Sequence, residues 1–258
     1  MVASTVTHST PRKIKVLGFP VAAIDLATAV RQLGAVLASK QKGRIRVVTL
    51  NPEMLMAGLN NPELGQALCS ADLVVPDGIG IVWALRRAGY RQKQRVTGVD
   101  LVETVLTEEA SAGLRLFLLG GKPGVAEEAK TNLQRRWSTL QVVGYHHGYF
   151  SSGENKSVVQ LINQAQPDLL LVGMGVPRQE IWLAKQWSNL TVPVGIGIGG
   201  LLDLWANRTK RAPLLIRRMG LEWAYRAWRE PARWYRLRVL PAFIFKVWVE
   251  QGFLRCNR

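Results

Sequence analysis

Short runs of Val, Leu and Ile recur along the chain: RIRVVTL at 44–50, DLVV at 72–75, RLFLLG at 115–120, QVVGYH at 141–146, DLLLVGMG at 168–175 and VPVGIGIG at 192–199. Near-continuous apolar runs of this length predict strands buried on both faces. Between most of them apolar residues return at helical spacing, as in GVDLVETVLTEEASA and PGVAEEAKTNLQRRW. Strand and helix alternating in this way predict βαβ units, hence a doubly wound α/β domain with a mainly parallel sheet and helices on both faces. Ahead of it, KIKVLGFPVAAI reads as β-rich, and Asp25 stands where it can cap a helix carrying Leu26, Val30, Leu33, Val36 and Leu37. Residues 1–12 read as a frayed tail and residues 13–204 as the α/β core.

After about Leu201 the pattern changes. Residues 208–258 hold 13 basic side chains against three acidic ones, and five of the nine tryptophans lie at or beyond Trp205. Residues 205–258 therefore read as a helical appendage divided by Pro231 and Pro241, with LPAFIFKVWVEQGFLRCNR as an additional interfacial helix. Arg226, Arg229, Arg233 and Arg236 are spaced to share one helical face, interleaved with Trp223, Trp228, Trp234 and Tyr235. A solvated face is the bland alternative. Amphipathic aromatics beside arginines favour a membrane interface or a stacked ligand.

Composition bounds the function classes. Apolar residues make up 48% and charged residues 20%, ordinary for a globular domain. The net charge of +16 favours a polyanionic partner: nucleic acid, anionic lipid or a phosphorylated substrate. Cys69 and Cys256 make no disulfide framework, which suits a reducing compartment. The first residues show no apolar signal core, and no apolar stretch reaches the roughly 20 residues that span a bilayer.

Three polar clusters follow strands, where the crevice of an open α/β sheet lies. Thr49, Asn51 and Asp77 stand at the ends of the first two runs, each followed by helix. For Asp77 alone, capping a helix and accepting a proton are both open. Leu119–Gly124 is a glycine-rich turn in which Gly120 and Gly121 could bring backbone N–H groups to a diphosphate, or simply turn the chain tightly. Gly173–Glu180 places Gly175, Arg178, Gln179 and Glu180 at a helix start, as ligand contacts or as solvent-facing residues. A D-x-D metal clamp, a P-loop and a G-x-S-x-G elbow are all absent, and His8, His146 and His147 lack zinc spacing.

In order along residues 14–240, TLNPEM, ADLVVPDGIGIVWA, RVTGVDL, LFLLGGKPGVAEEA, GYHHGYF, LLLVGMGVPRQEIWL, RAP and GLEWAYRAWREPARWYR resemble the WecG/TagA/CpsF glycosyltransferases, glycosyltransferase family 26. The resemblance implies a metal-independent, inverting transfer from a UDP-sugar donor to a saccharide carried on a polyprenyl diphosphate. Such proteins work peripherally at the cytoplasmic face of the bacterial inner membrane. Members add N-acetylmannosamine, its uronic acid or glucose in making cell-surface polysaccharides. Carried over residue by residue, Asp77 matches the general base, Thr49 and Asn51 its polar neighbours, and Arg95 and Gln179 further pocket positions. Arg226, Arg233 and Arg236 match arginines that close over the diphosphate. No cofactor and no metal are expected, and no nucleic-acid partner; the partners expected are donor, lipid-linked acceptor and an anionic membrane surface, with a homo-oligomer left open. The chain departs from the family's GG-x-F-D run and its later Gly, having Leu202 and Asn207 there. Rival classes are a nucleic-acid-binding protein and a Rossmann-type nucleotide-binding regulator or oxidoreductase, neither with transferase activity.

Overall fold

The computed structural model describes residues 11–39, 43–92, 94–229 and 238–256. β1 (Lys13–Val16) and β2 (Phe19–Ala22) form an antiparallel hairpin separate from the main sheet. α1 (Leu26–Ser39) follows, capped by Asp25, whose Oδ1 accepts the Thr28 N–H at 2.8 Å. β3 (Ile45–Leu50), α2 (Pro52–Asn60), α3 (Pro62–Cys69), β4 (Leu73–Pro76), α4 (Ile79–Arg87), α5 (Gly98–Glu109), β5 (Arg115–Gly120), α6 (Val125–Arg136), β6 (Gln141–His146), α7 (Asn155–Ala165), β7 (Leu169–Gly173), α8 (Arg178–Gln186), β8 (Val194–Gly197) and α9 (Leu201–Trp205) then alternate as the apolar runs predict. The six strands lie in the order β4-β3-β8-β7-β5-β6, every neighbouring pair parallel.

Alternation along each strand builds one core on one face of the sheet and two on the other. Val47, Leu116, Leu118, Leu169, Leu171, Val194 and Ile196 face α1, α5, α6 and α9. Their neighbours face the other side: Val48, Leu50 and Val74 join the hairpin, α2, α3 and α4, while Phe117, Leu119, Leu170 and Val172 meet α7 and α8. This is the doubly wound α/β architecture, with helices on both faces. β5 connects onward to β6 on one side and β7 to β8 on the other, so the adjacent carboxyl ends of β5 and β7 form a topological switch point.

Beyond α9, whose Trp205 is buried in the first core, the appendage comprises α10 (Leu214–Arg218), α11 (Glu222–Arg229) and α12 (Val239–Cys256). Pro241 stands at the start of the last of these helices. It is the third residue of α12, within the first helical turn, where a missing N–H leaves no intrahelical bond unmade. Pro231 lies outside the described residues. The helix α12 is not only interfacial: Phe243 and Val247 are fully buried in the hairpin-side core, and the Leu17 N–H donates to Glu250 Oε2 at 3.0 Å. Ile244, Phe245 and Trp248 remain exposed on the same helix. Among the described residues no helix is long and apolar enough to cross a membrane.

Candidate active site

Parallel pairing sets Thr49 opposite Val75 and Leu50 opposite Pro76, and the Asp77 N–H donates to Leu50 O at 2.8 Å. The register thus carries Asn51 and Asp77 out side by side at the carboxyl ends of β3 and β4. Asn51 caps α2, its Oδ1 accepting the Met54 N–H at 2.8 Å. Asp77 does not cap the helix that follows it, because Gly78 holds the cap position of α4 without a side-chain bond. The Asp77 carboxylate instead meets the start of another helix: Oδ2 lies 3.5 Å from the Gly98 N–H that opens α5. A Cβ at Gly98 would stand 3.4 Å from Thr49 Oγ1, so α5 begins directly over Thr49. Val96 N–H to Pro76 O at 2.8 Å ties the same segment to β4. Thr49, Asn51 and Asp77 therefore stand together at the carboxyl ends of β3 and β4, where the N-terminus of α5 favours the negative charge on Asp77.

The glycine loops approach one another closely. Gly120 has φ 142°, and a Cβ there would lie 2.3 Å from Gly173 O, so the loops after β5 and β7 can touch only through glycine. Gly121 donates its N–H to Gly173 O at 3.0 Å, and its carbonyl accepts from Gly148 at 2.9 Å. Gln179 is buried at 2% exposure, and its Oε1 accepts the N–H groups of Gly175 at 3.1 Å and Gly199 at 3.0 Å. It clamps the loops after β7 and β8 together. The N–H groups of Gly121 and Gly175 are thus donated within the fold, and the glycines shape the crevice by close approach.

Glu180 lies beneath that clamp, accepting from Gln179 Nε2 at 2.7 Å, with Oε2 buried and without a hydrogen-bond partner. Burial pushes its carboxyl up to about 7, against the hydrogen bond from Gln179 and the charge of Arg46, which favour ionisation. Below about pH 4.5 the carboxyl is protonated folded or unfolded; between there and about pH 7 the folded form holds the extra proton. Its stabilisation is therefore complete in acid and lost as pH rises through about 7, by on the order of 3 kcal/mol. Glu180→Gln, which mimics the protonated form, should flatten the fall in melting temperature across this range; an unchanged fall would place its origin elsewhere.

Arg95 reaches toward the appendage, its Nη2 3.1 Å from Arg217 O and 3.2 Å from Glu222 Oε2. Arg233 and Arg236 and the side chain of Arg226 lie outside the described residues. Arg178 is exposed, donating to Phe150 O at 2.8 Å. Of the two departures from the family pattern, Leu202 is fully buried against Gly173, and Asn207 takes φ 58°, a left-handed conformation that Asn tolerates where glycine is otherwise used. Sequence reasoning did not single out Gly98 or Glu222, which stand against Asp77 and Arg95. The Thr97-x-x-Asp100 spacing of a helix start, visible in RVTGVDL, could have located Gly98. Among the described residues no three His, Cys, Asp or Glu side chains group as a metal-binding set.

Residues 14–257 match the family model of the glycosyl transferase WecG/TagA/CpsF family. An N-acetylglucosaminyldiphosphoundecaprenol N-acetyl-beta-D-mannosaminyltransferase of Bacillus spizizenii is 31% identical over 223 residues, 86% of each chain. The protein of the same name from Staphylococcus aureus is 30% identical over 240 residues, 93% of this chain and 94% of its own. A match running through the sheet, the Asp77 pocket and the appendage, at this coverage, identifies the chain as a glycosyltransferase and a member of the WecG/TagA/CpsF family.

Proposed function

We propose that the enzyme transfers a sugar from a UDP-sugar to a saccharide on a polyprenyl diphosphate, with inversion and without a metal, for bacterial cell-surface polysaccharide. The names of the relatives make N-acetylmannosamine the leading donor sugar and a polyprenyl-diphosphate-linked N-acetylglucosamine the leading acceptor. The observation that carries the mechanism is the Asp77 carboxylate held at the start of α5 beside Thr49 and Asn51. Asp77 takes the proton from the acceptor hydroxyl as its oxygen attacks the anomeric carbon. The bond from that carbon to the UDP oxygen breaks in the same step, and UDP leaves with the electron pair. Backbone N–H groups at the start of α4, which has no side-chain cap, and the arginines of the appendage are suited to the charge on the leaving diphosphate.

The enzyme works peripherally at the cytoplasmic face of the membrane, and the appendage supports the contact with a membrane surface. Leu215, Met219, Trp228, Phe245 and Trp248 are exposed there, among basic residues. Such a surface binds anionic lipid through apolar and aromatic insertion plus charge, at about 1 kcal/mol per basic residue close to it.

The test is release of UDP by the full-length protein with a panel of UDP-sugars and a polyprenyl-diphosphate N-acetylglucosamine acceptor, with and without EDTA. Acceptor-dependent release that survives EDTA is expected, fastest with UDP-N-acetylmannosamine. Release that EDTA abolishes would overturn the metal-free chemistry, and no release with any donor would overturn the donor class.

A further inference from the structure

We propose that Glu222 is the positioning residue that sets the appendage over the catalytic pocket, an inference that rests on the transfer reaction proposed above. Glu222 opens α11 and is 5% exposed; with Glu180 it makes up the buried carboxylates among the described residues. Its Oε2 lies 3.2 Å from Arg95 Nη2 and its Oε1 3.7 Å from Arg211 Nε. The three side chains are 7%, 20% and 15% exposed, too dry for solvent to erase the attraction. A buried carboxylate between two guanidiniums is costly to leave half-made, so the arrangement favours one docked geometry.

Both arginines lead to the helix start that holds Asp77. Arg211 Nη2 donates to Asp100 Oδ1 at 2.6 Å. Asp100 and Thr97 close the first turn of α5 through Thr97 Oγ1 to Asp100 Oδ2 at 2.7 Å and Asp100 N–H to Thr97 Oγ1 at 3.1 Å. Arg95 enters the same turn two residues before Thr97. The opposite side of the pocket is gripped as well. Gly220 has φ 74°, and a Cβ there would stand 3.1 Å from Ile79 Cδ1, so the turn between α10 and α11 lies against the first residue of α4, two beyond Asp77.

The appendage thus holds both segments that frame Asp77, and Glu222 joins the two arginines of that hold. Position 226 follows one turn later on the same face of α11. The angle at which α11 leaves Glu222 therefore decides where that position stands over the pocket. A contact that served stability alone would change how much enzyme is folded, not how the folded enzyme meets its substrates.

The experiment is steady-state kinetics of the full-length Glu222→Gln and Glu222→Asp variants, with melting temperatures and trypsin cleavage at Arg208 and Lys210 between α9 and α10. Glu222→Gln keeps the shape and removes the charge; the acceptor KM should rise roughly tenfold or more, beyond any loss of folded protein. Glu222→Asp keeps the charge and should shift KM in the same direction by less, and it carries the test if the Gln variant does not fold. An unchanged KM, with kcat lowered only in proportion to folded protein, would overturn the proposal. If the wild-type protein transfers no sugar, the transfer reading falls, and trypsin then decides the positioning contact alone. Cleavage several-fold faster in the variants upholds the docked geometry; equal rates reject it.

Discussion

Asp77→Asn should lower turnover by about 10²- to 10⁴-fold, the range that a positioned general base supplies. The variant is chosen for what it leaves intact. Its side-chain oxygen can still accept the Gly98 N–H, and its backbone still donates to Leu50 O, so the junction of β4 and α5 keeps its shape. Only the capacity to take a proton is removed. The melting temperature and the affinity for UDP should therefore stay close to those of the wild type. Kinetics with saturating donor and acceptor, alongside a thermal melt, check this. Activity within roughly a factor of ten of wild type would remove Asp77 as the base.

Phe243→Ala should destabilise the whole chain by about 3 to 5 kcal/mol, the cost of emptying a fully packed aromatic site. Phe243 is 1% exposed and lies 6.4 Å from Trp83, centroid to centroid, in a tilted pair. Its ring also reaches within 3.4 Å of where a Cβ would stand on Gly80, three residues from Asp77. Loss of the ring should therefore loosen the start of α4 as well as the seat of α12. Denaturant unfolding should show a lower midpoint with an unchanged slope. A loss below about 1 kcal/mol would mean that α12 contributes little to the core.

The parts of this molecule written in local pattern could be read from the chain alone. Six apolar runs gave six parallel strands, and Asp25 gave the start of α1, because burial on two faces and a helix cap each leave a short-range signature. Thr49, Asn51 and Asp77 were visible as a group because the carboxyl ends of neighbouring parallel strands necessarily converge. The seat of α12 was not visible. Its first turns carry Phe243, Ile244, Phe245, Val247 and Trp248 almost all round, so no periodicity tells which side is buried. A buried Gln179 takes the N–H groups of Gly175 and Gly199 through tertiary contact that no spacing encodes. The Arg95–Glu222 pair joins residues 127 apart in sequence, and such a contact has no local signature.

A single displacement driven by Asp77, with no covalent sugar on the enzyme, must invert the anomeric carbon. The measurement that tests this most directly is the anomeric configuration of the newly made glycosidic bond, read from the one-bond carbon–proton coupling of the purified product against that of the α-linked donor. A β-linked product is predicted. An α-linked product would contradict the mechanism, because one direct in-line attack of the acceptor oxygen on an α-linked donor gives only the β linkage.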